Sequence, residues 1–209
     1  MNIGLHWIDE SGLPPVQWTL LAYTLASRPQ NKGGNPFERP GLNIEVINEK
    51  SGDDAKIHQV TEQAFLSAPH TDHTEQFIVD ALRRAGALTI SQVAKADGKI
   101  IGHVAISPVT LSGGTTGWFG LGPISVLPEH QGLGIGSKLI QSSLAALEAM
   151  GASGCVVLGD PGYYGRFGFK VVDGLVFPGV PTDYFQALSF SGEFPKGEVS
   201  YHEAFSAQG

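Results

Sequence analysis

The sequence has only one cysteine, Cys155, which lies in the apolar run Cys155-Val156-Val157-Leu158. A lone cysteine excludes an internal disulfide, and its apolar neighbours favour a buried structural thiol over a nucleophile. The sequence therefore lacks the disulfide framework of small proteins from oxidising compartments. We expect the protein to work in the reducing cytoplasm.

Positive charge and long hydrophobic runs are also scarce. Thirteen Lys and Arg residues stand against twenty Asp and Glu, which gives a formal net charge of −7. No stretch concentrates Lys and Arg as a nucleic-acid or anionic-membrane surface requires. The longest early apolar run, residues 18–26, has half of the ~20 residues that a membrane-spanning helix needs. We therefore expect neither nucleic acid nor membrane as a partner.

Uninterrupted helix-forming or strand-forming sequence is missing from residues 1–41. This stretch contains many backbone breakers: Pro14-Pro15, Pro29, Gly33-Gly34, Pro36 and Pro40. Such a density leaves room for one short helix at most. We interpret residues 1–41 as a poorly ordered N-terminal appendage and residues 42–205 as one domain, because a hydrophobic content of 42% is ample for a single core.

Beyond this appendage, hydrophobic periodicity and turn residues predict strands alternating with helices. Strands are predicted at residues 42–48, 89–96, 99–111, 115–127, 155–158 and 184–190. Helices are predicted at residues 53–65, between 72 and 86, at 138–150 and, in a short form, around 163–164.

Turn and cap residues support this assignment. Asp97-Gly98 suits a type I′ hairpin, because both turn positions need positive φ. Asp72 followed by Glu75 matches a capping box at the start of the second helix. Glycine and proline within residues 120–123 interrupt a strand, which predicts a bulge or bend there.

The most informative stretch is the glycine-rich loop Gln131-Gly132-Leu133-Gly134-Ile135-Gly136-Ser137, between an apolar strand and an amphipathic helix. Glycines relax the limits on φ and remove side chains, so several backbone N–H groups can converge on one anion at the positive end of the helix. Three glycines at alternate positions exceed what a tight turn needs. We interpret the loop as an anion site with phosphate as its ligand.

Two nucleotide-binding patterns fit this loop poorly. A nucleoside-triphosphate loop is excluded, because no glycine stands five positions after Gly132, Gly134 or Gly136. The dinucleotide fingerprint G-x-G-x-x-G begins correctly but has Ser137 at its third glycine position. It remains an alternative, an oxidoreductase with Asp160 as the ribose ligand.

A third pattern fits both this loop and a second stretch. Gln131-x-x-Gly134-x-Gly136 resembles the pyrophosphate-binding signature Q/R-x-x-G-x-G/A of the GNAT superfamily of acyl-CoA-dependent N-acetyltransferases. Downstream, residues 163–169 resemble the second landmark of that superfamily, a tyrosine followed by Gly-Phe. The resemblance covers residues 42–205. It implies an α/β (α+β) domain with a mixed, mostly antiparallel sheet of six to seven strands, about four helices and a splayed central parallel strand pair.

The resemblance also implies that acetyl-CoA is a cosubstrate and that no metal is needed. The pantetheine arm would pair with the strand before the loop, and the pyrophosphate would lie on the loop. The implied contacts are Ile124, Ser125, Val126, Gln131, Gly132, Leu133, Gly134, Ile135, Gly136 and Ser137.

Tyr164 matches the Y-x-x-x-G-F spacing of the family, so the resemblance implies that its hydroxyl protonates the departing thiolate. A phenol with a pKa near 10 can protonate a thiolate with a pKa of about 8.5 only because it is positioned to do so. Many relatives carry a glutamate base on the strand before the loop, but here the first carboxylate is Glu129. His103 is an alternative proton relay, although a strand histidine more often has a structural role.

In relatives, the connection between the first two helices borders the acceptor pocket. His73 and Glu75 are therefore candidate acceptor contacts, together with His103. His70 and His73 have no third fixed ligand nearby, and we expect no metal there.

These features predict a cytoplasmic N-acetyltransferase, a monomer or homodimer, that transfers the acetyl group of acetyl-CoA to a primary amine of a small molecule or peptide. The alternative is a non-catalytic acyl-CoA-binding or protein-interaction module on the same fold. The missing strand glutamate and the unusual N-terminal appendage motivate this alternative.

Overall fold

A computed structural model describes residues 43–66, 71 and 73–209 of the chain. The predicted appendage, His70 and the predicted cap Asp72 lie outside these residues. The helices are α1 Asp54–Phe65, α2 Glu75–Arg84, α3 Ile135–Ala149 and α4 Pro161–Tyr164. The strands are β1 Ile44–Asn48, β2 Ile90–Ala96, β3 Lys99–Pro108, β4 Thr110–Leu111, β5 Trp118–Val126, β6 Gly154–Leu158, β7 Leu175–Val176, β8 Phe185–Ser189 and β9 Gly197–Ser200.

The main sheet has six strands in the order β1-β2-β3-β5-β6-β8. Within it, β5 and β6 run parallel and every other neighbouring pair is antiparallel. Three short strands form a second sheet in the order β4-β9-β7. The predicted α/β (α+β) fold with a mostly antiparallel sheet is therefore confirmed.

The predicted hairpin connects β2 and β3. Asp97 has a φ of 49° and Gly98 a φ of 77°, as a type I′ turn requires. The predicted bulge is also present, because the register between β3 and β5 shifts between Val104 and Ile106.

Three predicted boundaries are wrong, and strand β9 was not predicted. The strand predicted to end at residue 111 ends at Pro108, since residues 110–111 leave the main sheet to pair with β9. Strand β8 was predicted to close the chain, but β9 follows it. Helix α3 begins at Ile135 rather than at residue 138. Helix α2 begins at Glu75 after Thr74, so Glu75 occupies the first helical position and not the third position of a capping box.

Helices α1 and α3 cover opposite faces of the main sheet. On one face, the hydroxyls of Thr61 on α1 and Ser125 on β5 are 3.2 Å apart. On the other face, Leu139 of α3 and the side chain of Val126 lie against Gly102 on β3. Ser125 and Val126 are consecutive, so their side chains point to opposite faces of the strand. The core therefore consists of two layers with β5 between them.

The parallel ladder between β5 and β6 is short. It runs from Trp118 opposite Gly154 to Gly120 opposite Val156 and then ends, although β5 continues to Val126. The antiparallel ladder on the other edge of β5 continues through Val126. The two strands thus stop pairing before either strand ends, as the predicted splay of the central parallel pair requires.

Close packing at the start of this ladder predicts a stability effect. A Cβ atom at Gly154 would overlap the Trp118 ring and lie 2.6 Å from the carbonyl oxygen of Leu188. We expect Gly154→Ala to lower the free energy of unfolding by about 1–3 kcal/mol, as overpacked cores do. Chemical denaturation measures the effect.

The matched control is Gly165→Ala, since a Cβ atom at Gly165 meets nothing within 4 Å. Its φ of −55° is open to alanine. Equal stability of the two variants would contradict the packing described for Gly154.

Candidate active site

The glycine-rich loop follows a 3-10 turn, Pro128–His130, at the end of β5. Residues 131–134 form the loop, and residues 135–137 belong to the first turn of α3. Gly132 and Gly134 have φ values of 76° and 78°, a region that disfavours other residues. A Cβ atom at either glycine meets nothing within 4 Å. The loop backbone is therefore open to a ligand.

The first turn of α3 borders this open space. Gly134 occupies the N-cap position, and it provides no side chain to accept hydrogen bonds from the helix amides. The first hydrogen bond that involves this cap runs from the Lys138 N–H to the Gly134 carbonyl oxygen, at 3.1 Å. Because the amide groups of a helix N-terminus carry partial positive charge, this end of α3 favours an anion.

Gln131 holds the loop against β5. Its Nε2 donates a hydrogen bond of 3.0 Å to the carbonyl oxygen of Val126, the last residue of the strand. Sequence analysis selected Gln131 as part of a pattern but did not predict this bond. The bond connects the predicted loop to the predicted strand segment, because Val126 is the last of residues 124–126 on β5.

Tyr164 is buried, with 2% of its surface exposed, after the carboxyl end of β6. Its ring lies directly against Gly159 and forms an edge contact with Phe169 at a centroid distance of 6.0 Å. Burial raises the pKa of the Tyr164 phenol far above its ordinary value, with further contributions from Tyr163, Cys155 and Asp160. The phenol, which is protonated at neutral pH even at its ordinary pKa, therefore remains protonated to a higher pH than usual.

Tyr163 has a different environment, although it is next in sequence. Burial raises the pKa of its phenol, and the nearby Ser137 side chain on α3 partly opposes this rise. The Arg166 guanidinium lies 4.3 Å from the centre of its ring. Tyr163 therefore links the tyrosine segment to the loop, whereas Tyr164 points into the core.

The three predicted acceptor contacts have two sets of partners. His73 and Glu75 share Thr71, whose hydroxyl oxygen accepts a hydrogen bond of 3.0 Å from the His73 N–H, whereas His103 contacts Ser91 on β2. The Nδ1 atom of His73 is 3.0 Å from the carbonyl oxygen of Phe65, in a part-buried contact. Glu75 is fully buried and accepts a hydrogen bond from the Thr71 hydroxyl. His103 is fully buried on β3, where its Nε2 lies 2.8 Å from the Ser91 hydroxyl oxygen.

A polar network accounts for the buried His103. Arg83 donates to Glu49 at 2.8 Å, and the Ser91 hydroxyl donates to the same carboxylate. The single hydroxyl proton of Ser91 is thus used, so the Nε2 of His103 must donate to Ser91. The buried Nδ1 of His103 is then an unprotonated acceptor without a partner among the described residues.

A cavity that sequence analysis did not predict adjoins the carboxyl end of β6. It has a volume of about 340 Å³, and its walls include Leu158, Phe177, Tyr201, Glu203 and Phe205. None of the three predicted acceptor contacts lines it. The only sequence signal for this cavity is the concentration of aromatic residues after residue 176.

Comparison with known proteins identifies the family. The sequence matches the Acetyltransferase (GNAT) family over residues 55–169, which is more than half of the chain. The chain belongs to the GNAT acetyltransferase family. The matched residues contain the loop and the tyrosine segment of this GNAT protein, whereas most of the cavity lies beyond them.

Two relatives are similar over long stretches. A crystal structure of a GNAT family acetyltransferase from Brucella melitensis in complex with acetyl-CoA is 50% identical, with a TM-score of 0.71. The alignment covers 79% of this chain and 99% of that one. The crystal structure of YhbS from Escherichia coli in complex with CoA is 31% identical, with a TM-score of 0.70, and covers 82% of this chain and 96% of that one.

The sequence of YhbS, an uncharacterised N-acetyltransferase of Escherichia coli K12, is 38% identical over 109 residues. That alignment covers 52% of this chain and 65% of YhbS. Within residues 43–66, 71 and 73–209, no helix is both long and apolar enough to span a bilayer. The same residues include no group of three or more His, Cys, Asp or Glu side chains that could hold a metal ion.

The buried His103 predicts a pH dependence of stability. Burial lowers the pKa of His103 from 6.5 to about 3, with opposite contributions from Glu49, which raises it, and Arg83, which lowers it. A histidine whose folded pKa is depressed contributes stability above its unfolded pKa and loses it as the pH falls. The loss should therefore develop below pH 6.5 and continue towards pH 3.

We expect the wild type to lose stability more steeply than His103→Gln between those limits, by about 1 kcal/mol per pH unit. Urea unfolding at a series of pH values measures both slopes. Although burial opposes ionisation of Glu49, hydrogen bonds from Arg83 and Ser91 lower its pKa. That carboxylate is present in both proteins, so its contribution largely cancels in the comparison. Parallel curves for the two proteins would contradict the prediction.

Proposed function

We propose that this GNAT protein is an N-acetyltransferase that transfers the acetyl group of acetyl-CoA to a primary amine of a small molecule or peptide. The observation that carries the proposal is the open, uncapped glycine loop beside a parallel ladder that ends at Gly120 and Val156. The Brucella melitensis relative with acetyl-CoA and YhbS with CoA support the same ligand.

The residues present fit acetyl-CoA. The backbone of Gly132 and Gly134 leaves room for a pyrophosphate, and the uncapped start of α3 supplies amide donors for its charge. Residues 124–126 of β5 extend beyond the end of the parallel ladder, where a pantetheine arm would pair with the strand backbone. When bound, acetyl-CoA supplies the activated acetyl group as a thioester.

Tyr164 is proposed to hold the proton that the departing thiolate needs. A phenol is protonated at neutral pH even at its ordinary pKa, and burial raises the pKa of Tyr164 further; its buried ring has little freedom to move. Positioning, rather than acid strength, is what such a donor contributes.

The amine must reach the site in its neutral form. Strand β5 has no carboxylate on residues 118–126, so no side chain of that strand serves as a direct base. The Nδ1 of His103 is unprotonated, but His103 is fully buried and the pKa of its ring is lowered to about 3, which makes it a weak base. We therefore propose that solvent accepts the proton of the ammonium ion.

Several further expectations stand as proposals beside this function. They are a cytoplasmic location, a monomeric or homodimeric state, and a domain that spans residues 42–205. The loop contacts and Tyr164 are proposals of the same kind.

The release of free CoA from acetyl-CoA, with and without added amine, tests the proposed function. Release that depends on an amine, together with mass-spectrometric detection of the acetylated amine, is the expected result. A non-catalytic acyl-CoA-binding module would bind acetyl-CoA and release no CoA with any amine. Failure to bind acetyl-CoA would contradict both functions.

The loop predicts a loss of affinity in Gly134→Asp. Aspartate tolerates positive φ better than most residues, so the variant should fold, but its carboxylate would repel the pyrophosphate and compete for the helix amides. We expect the dissociation constant of acetyl-CoA to rise by about tenfold or more at low salt, which calorimetry measures.

Gly151→Asp is the matched control. Gly151 also has a φ of 78° and open space around its Cβ position, but it follows the opposite end of α3. This variant should bind acetyl-CoA like the wild type. Equal losses in the two variants would show that backbone strain, and not the anion site, determines affinity.

Tyr164 predicts a catalytic effect. Tyr164→Phe keeps the buried ring and removes the hydroxyl, so we expect the rate of the acetyl-transfer step to fall by about 10²–10⁴-fold with little change in acetyl-CoA affinity. Single-turnover kinetics measures that step. In Tyr163→Phe, the loss of the contact with Ser137 should weaken acetyl-CoA binding while the transfer rate is kept. The opposite pattern would assign the proton to Tyr163.

A further inference from the structure

The cavity beside β6 has the size and composition of a small-molecule site. Its volume of about 340 Å³ is near the lower end of the range of about 300–1,000 Å³ for such sites. Phe177, Tyr201 and Phe205 form a continuous aromatic wall, with ring centroids 5.3 Å apart in the first pair and 4.8 Å apart in the second. The wall suits a flat apolar group.

The charge of the cavity favours a cation. Glu203 is exposed, and no Lys or Arg occurs among the lining residues. His202, which also lines the cavity, accepts a hydrogen bond from the Ala204 N–H through its Nδ1, which is the role of a neutral ring. The cavity therefore attracts an ammonium ion and repels a carboxylate.

Tyr201 connects the cavity with the end of the parallel ladder. Its ring lies directly against Gly120, the last residue of β5 that pairs with β6. Burial raises the pKa of the Tyr201 phenol well above its ordinary value, with smaller contributions from Cys155 and Tyr164. The cavity, which Leu158 at the end of β6 also lines, therefore lies beside the end of the ladder, where we propose that acetyl transfer occurs.

The hydroxyl of Tyr201 is also unusual in its bonding. It is buried without a hydrogen-bond partner among residues 43–66, 71 and 73–209. A buried polar group that lacks a partner is costly, and such groups call for a ligand or another explanation. A primary amine, which both donates and accepts hydrogen bonds when neutral, would satisfy it.

We propose that this cavity binds the acceptor and that the acceptor is a small arylalkyl primary amine without a carboxylate. The inference rests on the proposed function and specifies its substrate class. The aryl group lies on the aromatic wall, and the amine nitrogen bonds to the Tyr201 hydroxyl. In the transfer, a bond forms between the amine nitrogen and the acetyl carbon, and the bond between that carbon and the CoA sulfur breaks. Counted from the neutral amine, the nitrogen loses one proton and the CoA sulfur gains one.

The matched pair phenethylamine and L-phenylalanine tests the inference directly. Both have the same aryl group and amine, but only phenylalanine has a carboxylate. We expect calorimetry or saturation-transfer NMR on the CoA-saturated protein to show phenethylamine binding at least about tenfold more tightly than phenylalanine. Absence of phenethylamine binding would overturn the inference.

The variant Tyr201→Phe tests whether the Tyr201 hydroxyl binds the amine or only contributes to the stability of the fold. It keeps the ring against Gly120 and removes a hydroxyl that has no partner in the described residues, so stability should be unchanged or higher. Affinity for phenethylamine should fall by about fivefold, and KM for phenethylamine should rise with it. Unchanged affinity in this folded variant would remove Tyr201 from the site and contradict the proposed pose.

Glu203→Gln tests the charge selection. The preference for phenethylamine over phenylalanine should decrease by about fivefold, because the carboxylate of phenylalanine no longer meets a negative charge. Glu198→Gln makes the same charge change on β9, outside the cavity, and should leave the preference unchanged. Equal effects of the two variants would mean that net charge, and not the cavity, selects the amine.

Two results would distinguish a failure of this inference from a failure of the proposed function. Acetyl-CoA binding and amine-dependent CoA release with other amines, but no binding of phenethylamine, would overturn this inference and leave the acetyltransferase intact. Phenethylamine binding that depends on Tyr201, without CoA release from any amine, would support the cavity as a binding site and overturn the proposed function.

Discussion

The structure depends on where the parallel ladder between β5 and β6 ends. It ends at Gly120 and Val156, while both strands continue and β5 keeps its ladder with β3 through Val126. A strand that is held firmly on one edge can offer backbone groups to a ligand on the other. The glycine-rich loop follows the end of β5 that does not pair with β6, and α4, which contains Tyr163 and Tyr164, follows the end of β6. One interruption of pairing thus brings together the loop and the proposed proton donor.

Glycines allow this arrangement because they let aromatic rings approach the strands. The ring of Tyr201 lies against Gly120 on β5, and the ring of Tyr164 lies against Gly159 just after β6. A Cβ atom at either glycine would occupy the space of the ring. Tyr164 and the hydroxyl of the partly buried Tyr201 are both inaccessible to solvent, and burial raises the pKa of each phenol. Because both groups already have pKa values near 10 before this rise, both hydroxyl groups are protonated at neutral pH.

Sequence analysis correctly predicted the elements that depend on neighbouring residues. The Asp97-Gly98 hairpin, helix α1 and the loop between β5 and α3 were predictable because turn chemistry and helical periodicity act over a few positions. The start of α3 was predicted three residues late, because the glycines that favour a loop also allow a helix to begin. The pairing of β4 with β9, 90 residues apart, has no local signal.

By itself, the sequence determined the family and the order of the elements of the main sheet. It is also the source of the proposals that residues 131–137 bind an anion and that Tyr164 donates a proton. All of these follow from short patterns whose chemistry is local. Only the tertiary structure decided that His103 has partners different from those of His73 and Glu75, and that the Tyr201 ring lies against Gly120 at the end of the ladder. These relations depend on contacts between residues far apart in sequence, and such contacts form only when the whole core is packed.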